Sequence, residues 1–392
     1  MTRRDVVITG IGLVSSLGEG PEAHWAALNN GAKPVVDAAS FAPFPVHPLP
    51  ALSLDAQIPK KGDQRQMEPW QRLGTYAAGL AIDHAGARGL VSDMHLVVAA
   101  GGGERDVAVD EAVTAALTSA APEASGALLN EKLATELRPT LFLAQLSNLL
   151  AGNISIVHGV TGSSRTLMGE EEAAADAIRI AAARLAEGRG EIALVGGAFA
   201  SQRWDMVLLY APGGVLWQGD YAPISARGDA GGLMLGAMAA FLVLETAEHA
   251  QARGAKALAR IGAIASDAAH QRAGGGSATA AAALWQGMAP ASTAGLGVIS
   301  GMTGVAEARV EEEAFLATLG GAAVRRSGSV LGHGVEASFP ANVALAALAL
   351  SQNGFYPKMD PADAGDGAVE RILVTGFGQW RGEALALLEK AP

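Results

Sequence analysis

The chain has 392 residues, half of them hydrophobic and 17% charged, with a formal net charge of −11 at pH 7. That composition builds a large packed core and excludes a disordered chain. An acidic balance without a long basic run argues against nucleic-acid binding, and the absence of cysteine excludes disulfides, thiolate metal sites and a cysteine nucleophile.

In chain order, Asp5 to Ser15 reads as a buried strand running into Gly10 and Gly12. The third glycine of a dinucleotide fingerprint is missing, so no Rossmann site is expected. Gly18 to Asn30 follows as a helix with Trp25 and Leu28 on one face, and Lys33 to Lys61 as a proline-rich surface excursion. Pro69 to Ala85 is a helix and His95 to Ala100 a strand. Asp106 to Leu137 is a helical, acid-rich insert, and Leu141 to Gly152 one apolar helix containing Asn148.

The next stretch organises the rest. Thr166-Leu167-Met168 is a short apolar run ending at Gly169, followed by Glu170-Glu171-Glu172 and an alanine-rich helix from Ala173 to Ala186. Strand, sharp turn and helix in that order place one side chain at a helix N-terminus facing a cavity above the sheet. Acids in a first helical turn also contribute about 0.3–1 kcal/mol each whatever else they do. Glu191 to Ala198 and Leu235 to Glu245 are further strands, and Thr246 to Arg253 a short charged helix.

A second part starts near Ala257: strands at Leu258–Ala265, Gly297–Ser300, Arg371–Phe377 and Glu383–Leu388, and helices at Ala280–Met288, Glu311–Leu319 and Ala341–Leu350. Ser327 to His333 reads as a Gly/Ser-rich loop. Alternating strands and helices in both parts predict an α/β protein. Glu191-Ile-Ala-Leu-Val-Gly-Gly and Arg371-Ile-Leu-Val-Thr-Gly-Phe echo one another, as two copies of one unit would.

Several segments together resemble the β-ketoacyl-acyl-carrier-protein synthase family. They are Arg3 to Ser15, Trp25-Ala26-Ala27-Leu28, Asn148-Leu149-Leu150-Ala151-Gly152, Val195-Gly196-Gly197-Ala198, Leu242-Val243-Leu244-Glu245, Gly332-His333 and Gly376-Phe377-Gly378. The resemblance implies the duplicated thiolase-like fold, two mixed sheets in a five-layered αβαβα arrangement, with halves at 1–250 and 251–392. Counting without gaps from Asn148, or back from Gly196, puts the family's nucleophilic Cys on Glu171. Its first active-site His falls on Ser300 and its Lys on Gly328. The second His is kept as His333, and the gating Phe as Phe377 between Gly376 and Gly378.

Gly169-Glu170-Glu171-Glu172 is similar to the chain length factors of type II polyketide synthases, ketosynthase-like subunits with Gln in place of Cys that pair with an active ketosynthase. The resemblance therefore implies a non-condensing partner of an active ketosynthase that shapes the acyl tunnel in fatty-acid or polyketide elongation. Acyl carrier protein would reach it mainly through that partner, or through a local basic patch, Lys60-Lys61 or Arg325-Arg326. A homodimer is the other assembly open to the chain.

The residues leave a second reading open, a stand-alone malonyl decarboxylase or acyl-thioester hydrolase in which Ser300, His333 and Glu171 supply triad residue types. No paired His at helical spacing marks a metal site, and no cofactor is expected. With no membrane-length apolar window and no signal-peptide pattern, a cytoplasmic location is expected.

Overall fold

The computed structural model describes residues 3–270, 275–288, 292–366 and 368–391. Its core is one β-α-β-α-β-α-β-β unit used twice. The first copy runs β1 (Val6–Ser15), α1 (Pro69–His84), β2 (His95–Ala99), α2 (Leu149–His158), β3 (Ser164–Leu167), α3 (Glu170–Ala186), β4 (Ile192–Phe199) and β5 (Met238–Thr246). The second runs β6 (Ala259–His270), α4 (Gly276–Gly287), β7 (Leu296–Ser300), α5 (Ala306–Ala317), β8 (Ala323–Arg326), α6 (Ser338–Ser351), β9 (Arg371–Phe377) and β10 (Arg381–Glu389). The echoing segments of the sequence are β4 and β9, the same strand of the two copies.

The strand order is β3-β2-β4-β5-β1, then β6-β10-β9-β7-β8, so the second half mirrors the first. In each copy the three outer strands run parallel and the two inner ones antiparallel to their neighbours. The two expected sheets join into a single hydrogen-bonded path through β1 and β6, at Val7↔Arg260 and Ile8↔Ala259 only.

Alternation along the strands builds three cores from two half-sheets. On β4, Ile192 and Leu194 face the core under α1 and α2, whereas Ala193 and Val195 face a central core. On β9, Ile372 and Val374 face that central core, and Leu373 and Phe377 the one under α4 and α5. The central core holds α3 and α6, which contact strands of both halves. Five layers result. Strands covered on both faces read as continuous apolar runs, which is why they were legible. Between two layers α3 packs through Ala173–Ala175, Ala177, Ala181 and Ala182, all buried.

Several element bounds differ from the sequence reading. Gly18–Glu19 pairs with β1, and the helix after it begins at Pro21. The expected single helix Leu141–Gly152 is two, Pro139–Ala144 and α2, with Asn148 at the N-cap of α2. Ser147 and Asn148, residue types that disfavour a helix interior, mark the break. The Asp106–Leu137 stretch is likewise two helices, Val107–Ser119 and Ser125–Glu136, separated around Pro122. The Ser327–His333 loop contains one helical turn, Gly328–Leu331.

Candidate active site

β3 ends at Leu167, and Gly169 turns the chain at φ 145°. Glu170 follows at φ 58°, one of three non-glycine residues with positive φ among the described residues. A second is Val335, φ 41°, two residues after His333. Left-handed backbone at a residue with a Cβ persists only where surrounding packing enforces it. Here it occurs on both sides of one cavity.

The elbow sends Glu171 inward from the first turn of α3, leaving it 9% exposed. From the second copy, α6 brings Ser338, Phe339 and Asn342 to the same place. Glu171, Glu172, His333, Phe339 and Phe377 line a narrow cavity with the glycines Gly376, Gly378 and Gly382 in its wall. Phe377 is itself buried and packs on Phe315, ring centroids 6.1 Å apart.

Oε1 of Glu171 lies 2.9 Å from Nε2 of His333. The same oxygen accepts the backbone N–H of Gln379 at 3.3 Å. Burial pushes the Glu171 carboxyl up, but the hydrogen bond and charge of His333, with backbone N–H groups, outweigh it and hold the group below its usual range. Glu171 is therefore ionised at neutral pH, and Nε2 of His333 is the donor. The His333 loop is fixed by its main chain: its N–H donates to the Met234 carbonyl and its carbonyl accepts from Gly236, both at 2.8 Å. Ser338 Oγ lies 3.5 Å from Nδ1.

Ser300 does not join this pair. It is fully buried at the end of β7, and its Oγ donates to Glu312 Oε1 at 2.6 Å. Thr375 Oγ1 donates to the same oxygen at 2.5 Å. Burial raises the Glu312 carboxyl against the opposing pull of these hydrogen bonds. Ser300 is thus tied to Glu312 beside Thr375, and it is Thr375 and the neighbouring Gly301, not Ser300, that line the cavity. Gly328 lines an adjoining narrow cavity with His333, Ser327, Ser338 and Asn342. A Cβ at 328 would sit 2.8 Å from the Met302 carbonyl oxygen, so the main chain itself fills the start of any side chain there.

The sequence reading missed three groups. Gln379 supplies the second donor to Glu171, and its amide side chain is buried. Glu312 holds Ser300. Glu336, three residues after His333, is buried against Gly101, where a Cβ would collide with its carboxylate. Burial, and then the charges of Glu171 and Glu170, push Glu336 up to about 7. Glu312 alone left a signal in the sequence: it shares a helix face with Phe315 and Leu319 at helical spacing.

The basic pair Arg325-Arg326 is not a surface patch. Arg325 donates to the carbonyls of Tyr356, Val324, Ala364 and Gly365, Arg326 pairs with Asp363 at 3.1 Å, and both are buried. Lys60 and Lys61 are exposed, with Lys61 paired to Asp55. Among the described residues no group of three or more His, Asp or Glu has the geometry to hold a metal ion, and no helix is long and apolar enough to cross a membrane.

Known proteins share this architecture. The chain superposes on the ishigamide ketosynthase/chain length factor with a TM-score of 0.81 over the whole of both chains at 21% identity, a likeness of fold. It is 30% identical over 271 residues to 3-oxoacyl-[acyl-carrier-protein] synthase 2 of Vibrio harveyi, covering 67% of this chain and 62% of that protein. It is 30% identical over 265 residues to the tetracenomycin polyketide synthase ketoacyl synthase beta subunit of Streptomyces glaucescens, covering 64% of this chain and 60% of that one. The chain thus spans a little over three fifths of the curated relatives it matches. The model of the β-ketoacyl synthase N-terminal domain matches residues 3–250. On that match, which takes in most of its length, the chain belongs to the β-ketoacyl synthase family.

Proposed function

We propose that the chain is a non-condensing subunit. It pairs with an active β-ketoacyl-ACP synthase in fatty-acid or polyketide elongation and shapes the acyl tunnel, the role of a chain length factor. The observation that carries this is the buried Glu171–His333 pair at 2.9 Å. Condensation needs a thiolate to hold the acyl group and donors aimed at the developing oxyanions. At position 171 a carboxylate replaces the thiol, and an acyl group on it would be a mixed anhydride exposed to hydrolysis. The donor of His333 that a thioester carbonyl would use is already bound to that carboxylate. Freeing it would leave a buried charge without its partner, a cost of about 3–5 kcal/mol.

Decarboxylation of a malonyl thioester is disfavoured by the same group. A malonyl carboxylate about 5 Å from ionised Glu171 meets a repulsion of roughly 3 kcal/mol at an effective dielectric near 20. Hydrolysis by a Ser300-His333-Glu171 triad lacks its nucleophile, because the Ser300 hydroxyl is donated to Glu312.

In this reading the halves 1–250 and 251–392 are the two ketosynthase-like halves of a cytoplasmic subunit. Carrier protein docks mainly on the partner. Glu171, Ser300, Gly328 and His333 are degenerate catalytic positions, while Phe377, Gly376 and Gly378 border the acyl path. The test is co-expression with ketosynthases encoded beside its gene. A stable heterodimer with carrier-dependent condensation, whose product length shifts with substitutions at Phe377, is the expected result. Condensation by the isolated chain would overturn the proposal.

A further inference from the structure

Residues 104–138 leave the body and return to it without contributing a residue to any of the three cores. The chain departs after β2 through Gly101-Gly102-Gly103, a segment with no regular structure, and three glycines in a row turn more freely than other residues. It comes back through Leu137 and Arg138, both extended ahead of Pro139. Between these ends the helices Val107–Ser119 and Ser125–Glu136 hold no buried residue and pack chiefly on each other. One groove separates the first helix from Leu208 and Leu209, and another separates Leu133 of the second from Leu141 and Phe142. Swinging this excursion outward uncovers little hydrocarbon, so polar contacts hold it.

Those contacts gather at its root. Arg203, paired with Asp205, donates to the Gly103 carbonyl at 2.9 Å, and Asp205 accepts the Arg105 N–H at 3.2 Å. Gln145 donates to the Glu104 carbonyl, and Arg138 pairs with Glu68 at 2.8 Å. Two carboxyls lie under the same root. That of Glu336 sits against Gly101, so close that a Cβ there would collide with it. Oε2 of Glu104 is buried and has no hydrogen-bond partner among the described residues. Burial pushes both acids up to about 7. Glu336 is faced by Glu171 and Glu170 of α3, by Arg203, and by Tyr210 at the end of the helix Trp204–Tyr210. Glu104 is faced by Arg203, Glu68, Asp205 and Arg138. The two acids thus share Arg203, whose charge Asp205 already engages.

We propose that residues 104–138 form a hinged arm whose root is locked by the protons on Glu104 and Glu336 and freed when they leave. With both carboxyls neutral, the Gly101–Glu104 segment covers them without burying an unpaired charge. Once ionised, each is a buried anion among other anions, and lifting the segment lets water reach it. In the closed arm both acids are raised from 4.5 to about 7. Closure is therefore favoured most below 4.5, weakens as pH rises toward 7 and levels off above it. The arm belongs to this chain alone, and its failure to open leaves the proposed pairing with a ketosynthase untouched.

Amide hydrogen exchange of the purified full chain, followed at about pH 5.5 and 7.5 and expressed as protection factors so that intrinsic exchange rates cancel, reads the opening. Protection over the two arm helices is expected to fall about ten- to hundredfold between these values. Urea below the unfolding transition should leave that exchange unchanged, as for a local opening. In Glu104→Gln/Glu336→Gln the arm should keep its low-pH protection at both values. Each single variant should show a smaller fall than wild type, which serves as the readout if the double variant does not fold. Equal arm protection at the two pH values in wild type overturns the proposal, as does a full fall that survives in the variants. Arm exchange that rises with urea as steeply as that of Ile192–Phe199 overturns it too, because the arm would then open only with the whole molecule.

Discussion

The helices α3 and α6 occupy the same place in the two copies of the repeated unit, and their first turns meet at one cavity with opposite chemistry. Both are sandwiched between the half-sheets, α3 by alanines and α6 by a run from Phe339 to Leu350 that is buried throughout. Yet α3 opens on three acids, and α6 carries no charged residue along its length. Burial constrains the bodies of the two helices alike, while the chemistry is left to a few residues at their starts. The charge of α3 is answered from the other copy by His333, five residues before Ser338. The hydrogen bond between Glu171 and His333 therefore ties the two halves together across the cavity.

Breaking that tie should give the largest effect. His333→Ala leaves an ionised, buried Glu171 with one backbone donor, and unfolding in urea at pH 7 should lose about 3–5 kcal/mol. Glu171→Gln leaves no such charge and should cost about 1 kcal/mol. Equal losses for the two variants would mean that the asymmetry between α3 and α6 carries no electrostatic weight.

Acids around the cavity should also separate by the sign of their pH dependence. Glu336 has its folded pKa raised from 4.5 to about 7. Its contribution is largest below 4.5 and is lost as pH rises to about 7, a fall of roughly 3 kcal/mol. Glu336→Gln should abolish that fall in stability curves taken from pH 4.5 to 8. Glu171 is depressed instead, so its contribution is present above its unfolded value and lost as pH drops through the folded one. Glu171→Gln should flatten only the acid limb.

A smaller effect is expected where the second copy is tightly packed. Gly328→Lys adds a long cationic side chain there, and its Cβ would crowd the Met302 carbonyl at 2.8 Å and the Ile224 side chain at 3.0 Å. Overpacking of this kind costs about 1–3 kcal/mol, measurable as a lowered denaturation midpoint at unchanged slope. A neutral substitution would show that the Gly328–Leu331 turn yields.

How much was legible follows from what each feature depends on. Buried strands announce themselves because both of their faces are covered, so Val6–Ser15, Ile192–Phe199 and Arg371–Phe377 stood out. The elbow was readable because Gly169 ends an apolar run directly before a helix, whereas only the family resemblance, counted from Asn148 and Gly196, singled out Glu171 from its two neighbours. What stayed hidden depends on contacts distant in sequence. Glu312 meets Thr375 across 63 residues and Glu171 meets Gln379 across 208. Arg325 and Arg326 read as a basic patch because nothing local marks the carbonyls and the Asp363 carboxylate that bury them. Leu141 to Gly152 read as one helix because its apolar periodicity outlasts the break at Ser147-Asn148.

The smallest of these effects belongs to Ser300, and it bears on the chemistry most directly. Its hydroxyl donates to Glu312, which still has Thr375 on the same oxygen. Ser300→Ala removes one of two donors to a carboxyl whose pKa burial already raises, so the expected loss is about 1 kcal/mol. The variant should also leave any acyl-thioester hydrolysis by the purified chain at its background rate, because the hydroxyl is held by Glu312. A drop in hydrolysis larger than the change in stability would require the serine to swing from Glu312 toward the cavity. That outcome would make α3 and α6 partners in catalysis rather than two ends of one closed site.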